Sequence, residues 1–327
     1  MTSPRRVIID TDPGVDDALA LILALQSPAL QVEAITTVSG NVQVELATRN
    51  ALTVLGLFPL DRRPPVAQGV DRPLTRPLAT AAHVHGDDGL GGASCLLSAV
   101  AQPRYPAASA TPTSRDAVTY LLDLIRTSPG ELTLIALGPL TNLAHALRRD
   151  AHTFRQLAEI VVMGGAVTVP GNVTPVAEFN IYVDPEAAQV VLASGLPITL
   201  IGLDVTERVR LTAGMIDHYV RPLGSSLGHF VVDCTAQTIQ FSTRVERPPG
   251  MAMHDPLAVA ALIDPTLVHT VPLSIQVETR GKFTTGMLVA DRRPLHDDLK
   301  APANVRVALE VDAARFLEMF LHRLQTP

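Results

Sequence analysis

Apolar runs of strand length alternate along this chain with longer segments in which apolar residues recur at helical spacing. The alternation predicts an α/β fold, a mainly parallel open sheet with helices on both faces. In such sheets ligands bind beyond the carboxyl ends of the strands. Polar residues follow several predicted strands, at Asp10, Asp12, Asn41, residues 137–142 and Asp204. We therefore predict a ligand site along this edge of the sheet.

The same pattern gives approximate bounds for the individual elements. After a first strand that ends at Asp10, further strands are predicted at residues 30–38, 64–69, 131–137, 160–163 and 197–203. Helices are predicted at 18–25, 44–57, 114–126, from 184 onward, across most of 212–261 with a break at 247–250, and at 313–324. From residue 267 the pattern alternates as in β-structure. No repeat or domain boundary stands out, so we expect one domain over residues 1–327 with a helical insertion near the site.

The first predicted strand runs into four aspartates within eight positions, at Asp10, Asp12, Asp16 and Asp17. Between them, Pro13 fixes φ and Gly14 permits a strained backbone, so the chain can turn tightly and bring carboxylates together. Crowded carboxylates raise one another's pKa or require a cation, and their oxygens suit Ca²⁺ or Mg²⁺. Acidic residues are also common at helix starts, which would explain Asp16 and Asp17 but not Asp10 and Asp12.

Composition narrows the class of protein. The 327 residues carry a net charge of −6 without a basic stripe, which argues against a nucleic-acid polymer as partner. No apolar run approaches the ~20 residues of a membrane span, and the amino terminus lacks the apolar region of a secretory signal. Cys95 and Cys234 lie far apart without metal-type spacing. We expect a cytoplasmic protein without disulfides or membrane contact.

Two later segments carry further candidate chemistry. Asn172, Glu178 and Asn180 could together hydrogen-bond several hydroxyl groups. Taken alone, however, this segment favours the simpler interpretation, a turn role for Asn172 and a solvated Glu178. His254 and Asp255 end a loop rich in Pro and Gly. Asp255 is either the N-cap of the next helix or a metal ligand, and His254 is either a polar loop residue or a proton donor.

The stretch from residue 10 to residue 18 resembles the amino-terminal motif of the inosine–uridine-preferring nucleoside hydrolase family. Further matches follow in family order, at Ser39-Gly40-Asn41, Gly138-Pro139-Leu140-Thr141-Asn142, Met163-Gly164-Gly165, Glu178-Phe179-Asn180, Asp184-Pro185-Glu186 and His254-Asp255-Pro256. The resemblance implies a nucleoside hydrolase-like fold and an enzyme that cleaves ribonucleosides into ribose and a free base. It also implies Ca²⁺ as cofactor, a role in nucleoside catabolism and salvage, and a homo-oligomer, either a dimer or a tetramer.

The resemblance further implies roles for single residues. The calcium ligands would be three carboxylates and one main-chain carbonyl, from Asp12, Asp17, Asp255 and Leu137. Many relatives have threonine at the position of Leu137, a change that a main-chain ligand tolerates. Asp12 would also be the general base for a calcium-bound water, and His254 would protonate or contact the leaving base. The nucleoside would be bound by Asp16, Asn41, His85, Met163, Asn172, Glu178, Asn180 and Asp255, with Asp10 in a supporting role.

The base-contacting residues are the least clear part of the sequence. We expect them in residues 206–208 and in the helical region 229–247, including Phe230, Gln237 and Phe241. The chain has no tryptophan, so stacking on a purine would need Phe, Tyr or His. The base preference stays open, with a pyrimidine-preferring enzyme for uridine and cytidine, or a broad inosine–uridine type, as the expectation.

Two alternatives remain beside the hydrolase. A phosphatase with Asp10 as nucleophile is weak, because the only lysines, Lys282 and Lys300, come near the end of the chain. A non-catalytic calcium- and ribose-binding protein would keep the ligands and lose the base or the 5′-side contacts. The presence of Asp12, Glu178 and Asn180 argues against that second alternative.

Overall fold

A computed structural model of the chain describes residues 3–108, 112–245, 248–294, 296 and 299–325. Its strands are β1 (Arg5–Thr11), β2 (Leu30–Thr37), β3 (Val66–Gln68), β4 (Thr133–Ala136), β5 (Glu159–Met163), β6 (Ile198–Ile201), β7 (Arg210–Leu211), β8 (Met251–Ala252), β9 (Val268–Leu273), β10 (Ile275–Val277), β11 (Leu288–Ala290) and β12 (Val305–Val311). Its α-helices are α1 (Val15–Gln26), α2 (Val44–Gly56), α3 (Ala82–His85), α4 (Ala117–Thr127), α5 (Thr141–Arg149), α6 (Ala151–Phe154), α7 (Phe179–Val183), α8 (Pro185–Leu192), α9 (Leu203–Thr206), α10 (Ala213–Met215), α11 (Ser226–Val245), α12 (His254–Ile263) and α13 (Ala313–Gln325).

Eight of the described strands form the main sheet, in the order β3-β2-β1-β4-β5-β6-β12-β9. Every pair of neighbours is parallel except β12 with β9, which are antiparallel at one edge. The predicted mainly parallel sheet is therefore confirmed. Because β1 lies between β2 and β4, the turn after β1 lies near the middle of the carboxyl edge of the sheet.

Two apolar layers cover the two faces of this sheet. Along β1 the side chains alternate, so that Val7 and Ile9 belong to one layer and Ile8 to the other. The first layer includes apolar residues of α1, α2, α11, α12 and α13, and the second includes those of α4, α5 and α8. Helices on both faces are thus confirmed. Helix α1 is buried along nearly its whole length, which explains its continuous apolar sequence.

Most predicted elements lie within a few residues of their observed bounds, and the exceptions are short or depend on capping. The predicted helix from residue 114 begins at Ala117, because the Asp116 carboxylate accepts a hydrogen bond from the Thr119 amide and serves as N-cap. Asp255 was a candidate N-cap, and that alternative is wrong, since α12 begins one residue earlier and Asp255 lies in its first turn. Residue 247, in the predicted break, lies outside the described residues.

The helical insertion is represented by α11, the longest described helix, and by a short π-helical turn at Ile216–Val220 before it. Between α11 and α12 the chain pairs β8 with β7 in a two-stranded sheet. This pairing fixes the path of the chain into His254 and Asp255. Within the described part of the chain, no helix has the length and apolar character needed to cross a membrane.

Candidate active site

The Asp12 carboxylate follows β1 and is fully buried between two loops of the carboxyl edge. Its Oδ2 accepts a hydrogen bond from the Asn41 amide at 2.6 Å, whereas its Oδ1 has no hydrogen-bond partner among the described residues. A Cβ atom on Gly40 or on Gly138 would overlap this carboxylate. The two glycines therefore create the space in which Asp12 lies. Sequence reasoning found both glycines within motifs but gave them no role.

The first turn of α1 supplies two more carboxylates, Asp16 and Asp17. Asp17 is fully buried, and its Oδ2 accepts hydrogen bonds from the Gly14 amide and from Asn41 Nδ2, both at 3.0 Å. The Thr11 hydroxyl donates to Asp17 Oδ1. These donors and the positive end of the α1 dipole stabilise a carboxylate at this position.

Asp255, in the first turn of α12, lies beside this pair of carboxylates, although it comes from a distant part of the sequence. Among the described residues, Asp16, Asp17 and Asp255 each bring one carboxylate oxygen within 4.8 Å of the others. The resemblance implies Asp12, and not Asp16, as the third carboxylate ligand of calcium beside Asp17 and Asp255. The structure places all four side chains at one point of the sheet edge.

Electrostatics make this cluster a candidate cation site. Burial raises the pKa of Asp12 and of Asp255 well above the usual range, and neighbouring aspartate charges raise both further. Burial also raises the pKa of Asp16 and of Asp17. In the described part of the chain, Asp12 Oδ1 and Asp16 Oδ1 lack hydrogen-bond partners. Such a buried set of oxygen donors fits a hard divalent cation.

Asp10 lies behind the cluster and is also fully buried. Its Oδ1 accepts hydrogen bonds from Asn142 Nδ2 at 2.8 Å and from the Thr36 hydroxyl, and its main-chain oxygen accepts one from the Leu137 amide. Burial raises the pKa of Asp10 to about 7. These bonds join β1 to the strand ends on either side.

Leu137, whose carbonyl is the predicted main-chain ligand, directly follows β4 and is among the residues that line the cavity. Asn180 Nδ2 donates to this carbonyl oxygen at 2.6 Å and to the Met163 oxygen at 3.3 Å. Met163 is buried, and its sulfur lies 3.5 Å from the same amide nitrogen. Asn180 and Met163 thus lie together at the ends of β4 and β5.

The interpretation of Glu178 as a solvated side chain is wrong, because it is only 2% exposed. Its carboxylate accepts hydrogen bonds from the amides of Gly165 at 2.8 Å, Asn180 at 2.8 Å and Ile181 at 3.2 Å, and it is the N-cap of α7. Three amide donors satisfy a carboxylate that burial would otherwise disfavour. Asn172 lies in the loop before it, and its Oδ1 accepts a hydrogen bond from the Phe179 amide at 3.0 Å.

Two histidines complete the predicted set. His85, at the end of α3, is buried, and its Nδ1 lies 3.1 Å from the Val15 amide, which donates to it. Burial lowers the pKa of His85 to about 4, so the ring is neutral with its proton on Nε2. His254 is half-buried, and its Nδ1 lies 2.8 Å from the Thr206 hydroxyl.

A cavity of about 360 Å³ joins these groups, a volume within the range of ~300–1,000 Å³ typical of ligand pockets. The predicted residues that line it are Asp16, Asn41, His85, Leu137, Met163, Asn172, Glu178, Asn180, His254 and Asp255. Asp12 and Asp17 are fully buried next to this lining. The carboxyl edge therefore holds the ligand cavity that the alternating pattern predicted.

Residues of α11 also line the cavity, among them Thr238, Phe241, Ser242 and Val245, together with Met251 of β8 and with Glu207, which follows α9. Phe241 was expected here. Phe230 was also expected, but it is fully buried and packs edge-on against Tyr105 with ring centroids 5.1 Å apart. Arg208 donates to the Leu309 oxygen, so it points away from the cavity. Gln237 lies beside Gly86.

Comparison with known proteins identifies the family. The sequence model described as inosine-uridine preferring nucleoside hydrolase matches residues 7–318. The chain belongs to this family. It is 40% identical over 98% of both chains to the pyrimidine-specific ribonucleoside hydrolase RihA of Salmonella gallinarum. The predicted family and enzyme class, an N-glycosidase acting on ribonucleosides, are thereby confirmed.

Solved structures of nucleoside hydrolases share the whole fold. A purine-preferring ribonucleoside hydrolase from Gardnerella vaginalis superimposes with a TM-score of 0.87 at 35% identity, covering 98% of each chain. A plant nucleoside hydrolase gives a TM-score of 0.88 at 34% identity, covering 99% of this chain and 100% of its own. The predicted nucleoside hydrolase-like α/β fold is confirmed. The names of these relatives include both a pyrimidine-specific and a purine-preferring ribonucleoside hydrolase.

Proposed function

We propose that the chain hydrolyses the N-glycosidic bond of pyrimidine ribonucleosides in this cavity, with Ca²⁺ as its cofactor. The observation that carries the proposal is the meeting of Asp16, Asp17 and Asp255 next to a cavity lined by hydroxyl-binding amides. A family match over nearly the whole chain supports the reaction class.

Calcium would be held by carboxylates and a main-chain carbonyl, from Asp12, Asp17, Asp255 and Leu137. Oxygen donors alone make up this set, which is the preference of Ca²⁺. Bound calcium would orient the ribose hydroxyls and the attacking water in one geometry. The crowding of four buried carboxylates favours a resident cation over a bare site.

Asp12 is the proposed general base. Its Oδ1 is buried without a hydrogen-bond partner in the portion of the chain that the structure describes, and its Oδ2 is fixed by the Asn41 amide. One oxygen thus orients the carboxylate while the other can accept a proton from water. Burial raises the pKa of Asp12, which makes it a stronger base than an exposed aspartate.

The ribose would be held by Asp16, Asn41, Asn172, Glu178 and Asn180. Asn41 and Asn180 each use their amide nitrogen inside the protein, on Asp17 and on the Leu137 carbonyl. Their amide oxygens can therefore accept hydrogen bonds from ribose hydroxyls. Positive charge develops on the ribose as the glycosidic bond breaks, and the surrounding carboxylates stabilise it.

The leaving base would meet the two histidines. His85 is neutral and carries its proton on Nε2, so it can donate a hydrogen bond and cannot act as a cation. His254 lines the same cavity and contacts Thr206 through Nδ1. We assign His254 as the donor that protonates or hydrogen-bonds the departing base.

Support for a pyrimidine comes from the 40% identical pyrimidine-specific relative. The wall formed by α11 adds polar groups at Thr238 and Ser242 and one aromatic ring at Phe241. Hydroxyl groups at this wall can pair with the carbonyl and amino groups of a pyrimidine. The 35% identical purine-preferring structure makes inosine the necessary comparison substrate.

The decisive assay measures free-base release from uridine, cytidine, inosine, adenosine and guanosine. We expect release from uridine or cytidine, with kcat/KM at least about tenfold above that for inosine, equal to ~1.4 kcal/mol of transition-state discrimination. A preference for inosine would overturn the pyrimidine assignment alone. No release from any nucleoside, with calcium present, would overturn the reaction and favour the calcium- and ribose-binding alternative.

We also propose that residues 1–327 form one domain and that the protein assembles as a homo-oligomer, either a dimer or a tetramer. Both apolar layers pack on the same sheet, which supports the single domain. Sedimentation equilibrium tests the assembly, and a monomer at micromolar concentration would overturn it.

A further inference from the structure

Thr206 is fully buried at the end of α9 and contacts His254, which lines the nucleoside cavity. Its hydroxyl lies 2.8 Å from His254 Nδ1. The direction of this hydrogen bond determines which nitrogen of the His254 ring carries the proton. A threonine hydroxyl can donate or accept, so the direction of the bond must be derived from the surroundings.

The burial of Thr206 decides that direction. Within the described part of the chain, the bond to His254 is the one hydrogen bond of the Thr206 hydroxyl. If His254 Nδ1 were the donor, the hydroxyl proton of Thr206 would be buried without an acceptor, at a cost of ~1–3 kcal/mol. When the hydroxyl donates to Nδ1 instead, both partners are satisfied. The neutral ring then carries its proton on Nε2.

We propose that Thr206 is a positioning residue that holds His254 in this tautomer and orients Nε2–H as the donor to the leaving base. The inference rests on the proposed function, because it requires His254 to act on the base. As the bond between C1′ and the base nitrogen breaks, its electron pair moves to the base. The Nε2–H group stabilises that negative charge by a hydrogen bond.

The helix geometry explains why Thr206 can do this. Two successive main-chain bonds, from Val205 and Thr206 to the Gly202 oxygen, fix the short α9 immediately after β6. The Met253 amide donates to the Val209 oxygen at 3.0 Å and fixes the residue before His254. Both partners of the Thr206–His254 bond are thus held by main-chain contacts. A small shift of either residue would change the orientation of the His254 imidazole.

The test replaces the hydroxyl by a methyl group in Thr206→Val, with Thr206→Ser as the conservative variant. We expect Thr206→Val to lower kcat for uridine about 10- to 100-fold, a part of the ~10²- to 10⁴-fold that a positioned proton donor contributes. Thr206→Ser should recover most of this loss. Thr53→Val is the matched control, because Thr53 is a buried helical threonine whose hydroxyl donates to the Arg49 oxygen on α2.

A second substrate separates positioning from a general structural effect. In 4-nitrophenyl riboside the leaving group is a stable phenolate that needs no donor. We expect Thr206→Val to change kcat for this substrate less than about threefold, and His254→Ala to show the same selectivity. Equal losses on both substrates in Thr206→Val, with selective loss in His254→Ala, would overturn the role of Thr206 alone. Equal losses in His254→Ala would overturn the donor assignment of the proposed function.

The tautomer can also be observed directly, which covers the case that Thr206→Val does not fold. Two-bond ¹H–¹⁵N spectra of the unaltered protein, with His254 assigned by its absence in His254→Ala, show which nitrogen is protonated. We expect the Nε2–H form. The Nδ1–H form would overturn the proposal.

Discussion

At the scale of single residues, Asp12 depends on its neighbours for both its space and its chemistry. Two glycines leave room for its carboxylate, and the Asn41 amide fixes one of its oxygens. No described residue forms a hydrogen bond with the other oxygen, and burial raises the pKa of the carboxyl group. The general-base assignment therefore makes a sharp prediction for this side chain.

We expect Asp12→Asn to lower kcat for uridine about 10²- to 10⁴-fold, the range in which a general base contributes. The amide has nearly the same shape, so the fold should be retained by circular dichroism. Asp61→Asn, at an exposed aspartate, is the control and should leave turnover unchanged. Turnover of Asp12→Asn near that of the parent would contradict the mechanism.

Gly40 gives a second prediction, because a Cβ there would overlap both the Asp12 carboxylate and the Pro139 ring. We expect Gly40→Ala to lower kcat about 10²-fold, since a displacement of ~1 Å at a catalytic group has that effect. Gly214→Ala is the control, as the nearest atom to its added Cβ would be the Thr212 hydroxyl at 3.9 Å. Full activity of Gly40→Ala would show that Asp12 does not need this space.

The aspartate cluster could be predicted from sequence, because helix capping alone does not account for four carboxylates on both sides of a Pro-Gly turn. Glu178 could not be placed in the same way. Its burial depends on the amides of Gly165 and Ile181, which converge on it only in the folded chain. Likewise the contact of Thr206 with His254 joins residues 48 positions apart. A single sequence contains no local pattern for such contacts.

At the scale of elements, the hydrophobic pattern was informative for long elements and weak for short ones. The longer strands of the main sheet, such as β1 and β2, are apolar runs of recognisable length, and helices such as α4 and α13 have enough residues to show a helical period. The pairing of β7 with β8 involves only two residues from each strand, Arg210–Leu211 and Met251–Ala252. Such short strands form because the surrounding chain brings them together, so propensity alone does not predict them.

The loop between β3 and α3, which leads to His85, is tied to the start of α8. Arg76 makes two hydrogen bonds to the Glu186 carboxylate, at 2.8 and 2.7 Å, and both side chains are less than one-third exposed. The hydrogen bond from Arg76 is the largest of the effects that lower the pKa of Glu186. A paired Arg and carboxylate in this geometry holds the loop more firmly than a single exposed ion pair.

We therefore expect Glu186→Gln to lower the free energy of unfolding by about 1 kcal/mol at pH 7. Because the folded-state pKa of Glu186 is lowered, its contribution is present above the unfolded-state pKa and is lost as pH falls through the folded-state value. The difference between variant and parent in urea unfolding should thus stay constant from pH 7 down to about pH 5 and shrink at lower pH. Glu45→Gln, at an exposed glutamate of α2, is the control. A pH-independent difference would contradict this account.

At the scale of the whole molecule, the site joins distant parts of the chain at the carboxyl edge of one sheet. Asp12 and Asp17 come from the first 20 residues, and Asp255 comes from a helix that packs against α1. Folding must therefore bring buried like charges together from distant parts of the chain. Their mutual repulsion opposes the packing of α1 against α12. A bound cation would attract all of these carboxylates and so offset the repulsion.

This relation gives the last prediction, which concerns calcium and stability together. Protein treated with EGTA should lose activity and melt at a lower temperature, and added Ca²⁺ should restore both. A cation that binds only the folded state stabilises it by ~2.7 kcal/mol at a concentration about 100 times its dissociation constant. Asp255→Asn is the matched variant, since it removes one proposed ligand from the cluster without changing the size of the side chain. Its melting temperature should respond little to calcium at concentrations that stabilise the parent. Identical melting of the parent in EGTA and in Ca²⁺, with full activity in both, would contradict the calcium assignment, because buried carboxylates would then be stable without a cation.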